Sequence, residues 1–394
     1  MRRRRRSTRG CSSTIRTSRA PTSAGLLRRR ATLRSWPAPG LRERALTGAE
    51  GGQDVPGDQQ VGGRPASEVV PCREGRQRWG STAEDSSAVD TARTPRRRWR
   101  VLPLERFAVH SAYSDPGAFA HRLRELPDDV DAVCAAARGA IAHYRAELPD
   151  LPEERRHEVD LRWLARTLAL DAQRHPEPLT VARPLEQRVA GCCRDHALFV
   201  VGALREKGVP ARSRVGFVDY FSPVYHHDHV VVEHHDGERW VRTDPELDGD
   251  AWPFDPRDLP TGAGAPFVTA AEVWSGYRAG QVDASLFGVF PGSPFAGPEF
   301  VRGYVVFEVA HRFGDELLLW DDWGAAGDTV RPGEAHALVD EVAELLLRSD
   351  GGDAGAEEEL AARYRQDERL HPGRWVVQHS PYGGDDVRVD LQAR

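Results

Sequence analysis

The sequence is poor in several residue types, and each scarcity excludes something. Asparagine is absent from all 394 residues, so a cysteine–histidine–asparagine site cannot exist in this chain. Lys207 is the only lysine, and Ile15 and Ile141 are the only isoleucines. Because these three residue types are encoded by AT-rich codons, the bias indicates a GC-rich and bacterial gene.

Cysteine is also scarce, with five residues at irregular positions and no Cys-x-x-Cys pair. An odd, irregular set describes neither a disulfide framework nor a zinc site. No apolar run of about 18 residues is present, and the basic N-terminus lacks the apolar stretch of a secretory signal. We therefore expect a reduced, cytoplasmic protein that does not enter a membrane.

Acidic residues are missing from residues 1–42, whereas Arg2–Arg6 and Arg28–Arg30 are unbroken basic runs. Residues 1–98 contain few large apolar residues and no sustained periodicity, so we expect a disordered basic tail. Such an arm could bind nucleic acid. No aromatic residues interleave with its arginine runs, however, and a solvated tail or an upstream translation start is the favoured interpretation.

Ordered structure is expected from about residue 99. Residues 99–250 predict a helical lead-in followed by a mixed core, and residues 251–394 predict a C-terminal extension that packs on this core. The lead-in includes a predicted helix over residues 152–172. In the extension we predict a strand, two helices and a last short strand, at Val301–Val309, Ala335–Leu346, Ala354–Leu370 and Trp375–Gln378 respectively.

From residue 191 the pattern predicts one helix followed by three strands. An apolar run of helix length covers Cys192–Lys207, and Gly208 stands where a helix C-terminus favours glycine. The Asp236-Gly237 pair is a strong signal for a hairpin turn. The three predicted strands are Arg212–Tyr220, Asp228–His235 and Arg239–Thr243.

Cys193 lies where Gly191 meets the start of the predicted helix. The free N–H groups and positive dipole end of a helix N-terminus favour a thiolate and could stabilise an oxyanion. His229 begins the regular apolar alternation of its strand, where a sheet can hold an imidazole rigidly. Asp244 ends the next strand, and a two-residue turn would place it nearly opposite His229. These residues predict a catalytic triad of Cys193, His229 and Asp244.

Three segments resemble the core motifs of the transglutaminase-like superfamily. They are Gly191-Cys192-Cys193-Arg194-Asp195-His196-Ala197, His229-Val230-Val231-Val232-Glu233 and Trp240-Val241-Arg242-Thr243-Asp244-Pro245. In that family a Gly-x-Cys supplies the nucleophile, a His heading a strand supplies the base, and an Asp-Pro supplies the third member. The resemblance implies a papain-like α+β core, in which the nucleophile helix packs on an antiparallel sheet, and it selects Cys193 rather than Cys192. Val231 departs from the family, which often has an aromatic residue there.

The resemblance implies a thiol enzyme that cleaves or transfers the acyl group of a protein or peptide amide through a thioester on Cys193. The superfamily also contains inactive scaffolds, so a non-catalytic binding module is the alternative. His227, Asp228 and His229 could instead offer metal ligands, but adjacent strand residues point to opposite faces. We therefore expect neither a metal nor a cofactor.

Overall fold

The structure is a computed structural model that describes residues 104–249, 251–327 and 331–393. The predicted disordered tail, residues 1–98, lies outside the described residues.

The α-helices in chain order are α1 (Ala120–Arg124), α2 (Val130–Ala140), α3 (Leu164–Arg174), α4 (Cys193–Glu206), α5 (Ala270–Arg278), α6 (Pro298–Arg312), α7 (Pro332–Asp350) and α8 (Ala354–Gln366). The strands are β1 (Ile141–His143), β2 (Val189–Gly191), β3 (Ala211–Val218), β4 (His226–His235), β5 (Trp240–Thr243), β6 (Phe267–Thr269), β7 (Phe287–Gly288), β8 (Asp321–Asp322), β9 (Trp375–Gln378) and β10 (Val387–Asp390).

A five-stranded sheet forms the centre of the described chain. Its main path runs β5-β4-β3-β6 with antiparallel neighbours, and β7 pairs with β4 in parallel. Helix α4 packs on β3 and β4 on one side and on α1, α2 and α3 on the other. Because it is covered all round, its residues from Cys193 to Arg205 are buried. The predicted α+β core with the cysteine helix on an antiparallel sheet is confirmed.

The predicted strand Val301–Val309 is wrong, because these residues lie inside α6. Gly297 and Pro298 open this helix, and every residue from Val301 to Arg312 is buried against β3 and the neighbouring helices α5 and α7. A continuous apolar run is compatible with a buried strand and with a buried helix, so periodicity could not separate the two.

The predicted helix over residues 152–172 is divided into a 3₁₀ segment, Glu153–Asp160, and α3. The buried carboxylate of Glu158 accounts for the break. It accepts hydrogen bonds from Arg155, from Arg174 and from the backbone N–H of Ala190, which tie the 3₁₀ segment to β2.

The C-terminal part contributes to two of the three sheets and to the helical layer. β9 was predicted correctly and is the middle strand of a small antiparallel sheet of order β10-β9-β8. β6 and α5 occupy residues 267–278, a stretch whose sequence appeared irregular. Within the described ranges, no helix has both the length and the apolar character needed to cross a membrane.

Candidate active site

Cys193 is the first residue of α4, directly after strand β2. Gly191 is required before it, because a Cβ there would lie 2.9 Å from the Cβ of Asp195 and 3.0 Å from Cγ2 of Ile141. Asp195 Oδ2 accepts the backbone N–H of Cys192 at 2.9 Å. This side chain therefore caps the helix that presents the thiol.

The Cys193 thiol is 4% exposed. A hydrogen bond with the Cys192 thiol and burial raise the pKa of Cys193 well above its usual value, and the charges of Glu246 and Asp228 act in the same direction. The resting side chain is therefore a neutral thiol. The lowering of this pKa that the helix N-terminus suggested is not seen, because the second thiol, burial and two carboxylates all act in the opposite direction.

His229 and Asp244 form a buried pair. His229 Nε2 lies 2.9 Å from Asp244 Oδ2, and the hydroxyl of Tyr220 donates to the same carboxylate oxygen. Asp244 Oδ1 accepts the backbone N–H of Glu246 at 2.9 Å, so both carboxylate oxygens are fixed. Burial by itself would lower the pKa of His229, but the carboxylates of Asp244, Glu246 and Asp228 together outweigh burial and raise it.

The His229–Asp244 contact arises from a register other than the predicted one. In the hairpin of β4 and β5, His235 pairs with Trp240 and Val232 pairs with Thr243. The loop thus has four residues rather than two, and Asp244 is diagonal to His229 instead of opposite it. The observed register differs from the predicted one by an even number of residues. Both side chains therefore remain on one face of the sheet and within reach of each other.

The thiol and the imidazole are held by elements that pack together, since Cys193 heads α4 and His229 lies on β4. The carboxylates of Glu246 and Asp228 act electrostatically on both groups. The Tyr220 hydroxyl has both Asp244 and Cys193 among its electrostatic neighbours. The three predicted site residues therefore belong to one cluster at the N-terminal end of α4.

Glu246 and His196 are members of this cluster that the sequence interpretation missed. Glu246 Oε1 lies 3.0 Å from His196 Nδ1, and Glu246 Oε2 lies 3.9 Å from His229 Nδ1. Burial would raise the pKa of Glu246, but His143, His196 and His229 together lower it to about 2. The site thus contains a second acid, with a side chain 13% exposed, beside the predicted Asp244.

His196 is an imidazolium by its geometry. Its Nδ1 lies 3.1 Å from the carbonyl oxygen of Cys192, and its Nε2 lies 3.3 Å from the carbonyl oxygen of Ile141. A carbonyl oxygen only accepts hydrogen bonds, so both ring nitrogens must donate. Burial would lower the pKa of His196, but the Glu246 carboxylate raises it to about 9. The charged ring and Glu246 form a buried ion pair one helical turn after the thiol.

Two sequence signals could have identified this pair. His196 follows Cys193 by three residues in a helix, and this spacing places both on one face. Glu246 follows Asp244 by two residues, a spacing at which an aspartate side chain accepts the backbone N–H of the later residue and holds the two acids close together.

The histidines before and after Asp228 do not assemble a metal site. In the described part of the chain, no group of three or more His, Cys, Asp or Glu side chains is arranged to hold a metal ion. His227 Nδ1 lies 3.1 Å from the carbonyl oxygen of Val289, and Asp228 Oδ2 accepts the hydroxyl of Tyr304 at 2.6 Å.

Comparison with protein families identifies a superfamily that part of the chain matches. Residues 148–245 match the family model of the transglutaminase-like superfamily, and the matched segment contains Cys193, His229 and Asp244. The resemblance is confirmed, and the chain carries a transglutaminase-like core. Members of this superfamily are generally cysteine enzymes. The comparisons with curated proteins and with solved structures give no match.

Proposed function

We propose that this protein is a thiol-dependent amide hydrolase or acyltransferase that works through a thioester on Cys193. The observation that carries the proposal is the buried His229–Asp244 pair, with Nε2 and Oδ2 2.9 Å apart, on the strand against which the Cys193 helix packs. The substrate class we propose is a protein or peptide amide. A reducing, cytoplasmic compartment is part of the proposal and is supported by the free thiols of the three described cysteines.

Acylation begins with attack of the Cys193 sulfur on the amide carbonyl carbon. Because His229 Nε2 is hydrogen-bonded to Asp244, His229 Nδ1 is the nitrogen that accepts the thiol proton. The carboxylates of Asp244 and Glu246 then stabilise the imidazolium. The oxyanion lies near the backbone N–H of Cys193, one of the first-turn donors that a helix leaves without an intrahelical partner.

Collapse of the tetrahedral intermediate breaks the C–N bond, and the amine leaves with the proton from His229. Water or a second amine attacks the thioester, giving hydrolysis or transamidation respectively. The resting thiol is neutral, so proton transfer to His229 accompanies attack instead of preceding it. This order distinguishes the proposed mechanism from one that uses a preformed thiolate–imidazolium pair.

The test is turnover of a library of fluorogenic peptide amides by the full chain, with and without an added primary amine. We expect Cys193→Ala to abolish turnover and His229→Ala to lower kcat by about 10²- to 10⁴-fold. Matched controls are Cys134→Ala, a buried thiol on α2, and His235→Ala at the far end of β4. Wild-type turnover by Cys193→Ala would show that the proposed mechanism is wrong.

A non-catalytic binding module is a second candidate, and the burial of the Cys193 thiol favours it. A binding module predicts that Cys193 resists alkylation by iodoacetamide even in alkaline solution, where a thiol of raised pKa still ionises. The enzyme predicts that Cys193 is labelled and that His229→Ala slows the labelling. Mass spectrometry of the labelled full chain separates the two.

A further inference from the structure

The pairing of β1 with β2 brings residues 144 and 145 close to the chain that leads into Cys193. Strands β1 and β2 are parallel neighbours, with His143 opposite Gly191, and the backbone N–H of Tyr144 donates to the carbonyl oxygen of Gly191 at 2.8 Å. The chain after β1 is thus hydrogen-bonded to the residue that precedes Cys192 and Cys193.

The Tyr144 hydroxyl is a buried polar group without a partner. The side chain is 5% exposed, and its oxygen has no hydrogen-bond partner among the residues that the structure describes. The ring is enclosed by aromatic neighbours, stacked on His143 and in contact with Trp320 and Tyr382 at centroid distances of 5.6, 6.3 and 5.6 Å. A buried hydroxyl that forms no hydrogen bond is costly, so a ligand that accepts one would be stabilised here.

Arg145 is the second donor group at this place. Its guanidinium carbon lies 5.0 Å from the centroid of the Tyr144 ring, and within the described ranges no carboxylate or carbonyl oxygen pairs with it. Its electrostatic neighbours include Tyr144, Asp228 and Cys192. Asp228 is engaged by Tyr304 and forms no ion pair with Arg145. A half-buried guanidinium therefore has free N–H donors close to Cys192, the residue before the proposed nucleophile.

We propose that Tyr144 and Arg145 form a subsite for a carboxylate of the substrate, close to the amide that Cys193 attacks. A planar guanidinium matches a carboxylate with two parallel hydrogen bonds, and the Tyr144 hydroxyl adds a third donor. The substrate class is therefore an acidic peptide or another amide that carries a carboxylate near the scissile bond. This inference rests on the proposed function, because it assigns a substrate to the same thiol.

A pair of alkylating reagents tests the subsite without a known substrate. Iodoacetate and iodoacetamide react with the same thiolate and differ in charge. The rate with iodoacetate divided by the rate with iodoacetamide is therefore unaffected by changes in the pKa of the thiol. We expect the ratio for Cys193 to exceed that for N-acetylcysteine measured alongside. Arg145→Gln lowers this ratio about fivefold, as expected for loss of one partly buried charge. Arg145→Lys keeps the positive charge and most of the wild-type ratio.

Two further variants complete the experiment. Tyr144→Phe removes only the unpartnered hydroxyl, leaves the ring packing intact and also lowers the ratio. Arg156→Gln is the matched control, because Arg156 is an exposed arginine over the Tyr382 ring at 5.0 Å; its ratio stays within about twofold of wild type.

The outcomes separate the two proposals. If iodoacetamide labels Cys193 in a His229-dependent way but the ratio is the same in wild type, Arg145→Gln and Tyr144→Phe, the subsite is wrong and the thiol enzyme stands. If neither reagent labels Cys193 even in alkaline solution, where a thiol of raised pKa ionises, both the subsite and the proposed function are overturned.

Discussion

At the residue scale, the adjacent thiol of Cys192 controls how readily the Cys193 thiol ionises. The hydrogen bond with Cys192 is the largest cause of the raised pKa of Cys193, followed by burial. Replacing Cys192 with alanine removes this bond, so the pKa of Cys193 falls and more thiolate is present at neutral pH.

We therefore expect Cys192→Ala to be alkylated faster by iodoacetamide at pH 7.5, with the midpoint of its rate–pH profile moved toward acid. Cys192→Ser keeps a hydrogen-bonding group and gives an intermediate midpoint. Cys134→Ala, which changes a distant buried thiol, leaves the midpoint of Cys193 unchanged. An alkaline movement of the midpoint in Cys192→Ala would contradict this account.

The His196–Glu246 ion pair makes stability depend on pH in a direction that can be derived. His196 has its pKa raised from 6.5 to about 9, so its contribution is complete below about pH 6.5 and is lost as pH rises through 9. Glu246 has its pKa lowered from 4.5 to about 2, so its contribution is complete above about pH 4.5 and is lost as pH falls through 2. The pair stabilises the fold most between these two limits.

Urea unfolding of the full chain measures this dependence. At about 1.4 kcal/mol per pH unit, His196 accounts for a loss on the order of 3 kcal/mol in the free energy of unfolding between pH 6.5 and 9. Glu246→Gln removes the carboxylate and most of this alkaline loss. His336→Gln, which breaks an exposed pair with Glu299, keeps the wild-type dependence. An equal alkaline loss in wild type and Glu246→Gln would show that the pair is not the cause.

At the element scale, Gly216 lets three strands approach beside the site. It lies on β3 between His229 of β4 and Thr269 of β6. A Cβ at this position would lie 2.7 Å from Cζ of Phe267 and closer still to the carbonyl oxygen of Val268. Any side chain here must displace β6 from the sheet.

We expect Gly216→Ala to lower the free energy of unfolding by about 1–3 kcal/mol, the usual cost of overpacking, as measured by urea unfolding. Gly333→Ala is the matched control, since a Cβ there meets no atom within 4 Å; it changes stability by less than about 0.5 kcal/mol. If both variants unfold at the same urea concentration, the close approach of β6 does not limit stability.

The helix that begins at Cys193 and the strands beside it could be predicted, because the sequence patterns that indicate them are local. Alternating apolar residues indicated β3 and β4, whose observed bounds differ from the predicted ones by at most two residues. Gly208, at φ 74°, ends α4 as a left-handed residue, a conformation that glycine adopts readily. Local periodicity therefore sufficed to place the thiol at a helix start and the imidazole on a strand.

Features that depend on tertiary contacts were not predictable. Asp236 Oδ1 accepts the N–H groups of Glu238 and Arg239, which closes a four-residue loop in place of the expected two-residue turn. The pairing of β1 with β2 joins segments nearly fifty residues apart, so no short pattern placed Arg145 beside the nucleophile. The helical state of α6 likewise depends on its burial rather than on its own periodicity.

At the scale of the whole molecule, buried ion pairs join the sheet to the C-terminal helices. Arg214 on β3 contacts Glu233 of β4 at 2.8 Å, Glu308 of α6 at 2.9 Å and Asp350 of α7 at 2.6 Å. The sheet also takes β6 and β7 from beyond residue 250. Folding of the transglutaminase-like core is therefore coupled to the chain that follows it.

Arg214 is central to this coupling, because its guanidinium forms ion pairs with three carboxylates. Its own side chain is 1% exposed, and Glu233 and Glu308 are buried with it. Arg212 and Arg242 would still pair with Glu233 after loss of Arg214, and Arg312 would still pair with Asp350. Glu308 alone would lose its only ion-pair partner among the described residues, so most of the penalty falls on that carboxylate.

We expect Arg214→Met, which keeps the side-chain length but removes the charge, to lower the free energy of unfolding by about 3–5 kcal/mol at pH 8. Burial raises the pKa of Glu308 to about 7 even with Arg214 present, so this carboxyl is largely ionised at pH 8 and protonated at pH 5. The loss should therefore be smaller at pH 5, where the carboxyl is neutral and needs no cation. Arg278→Met, which breaks a half-exposed pair with Asp340, costs less than about 1 kcal/mol at either pH. If Arg214→Met lowers the free energy of unfolding equally at pH 5 and pH 8, the loss of side-chain packing, rather than the unpaired Glu308 charge, causes the destabilisation.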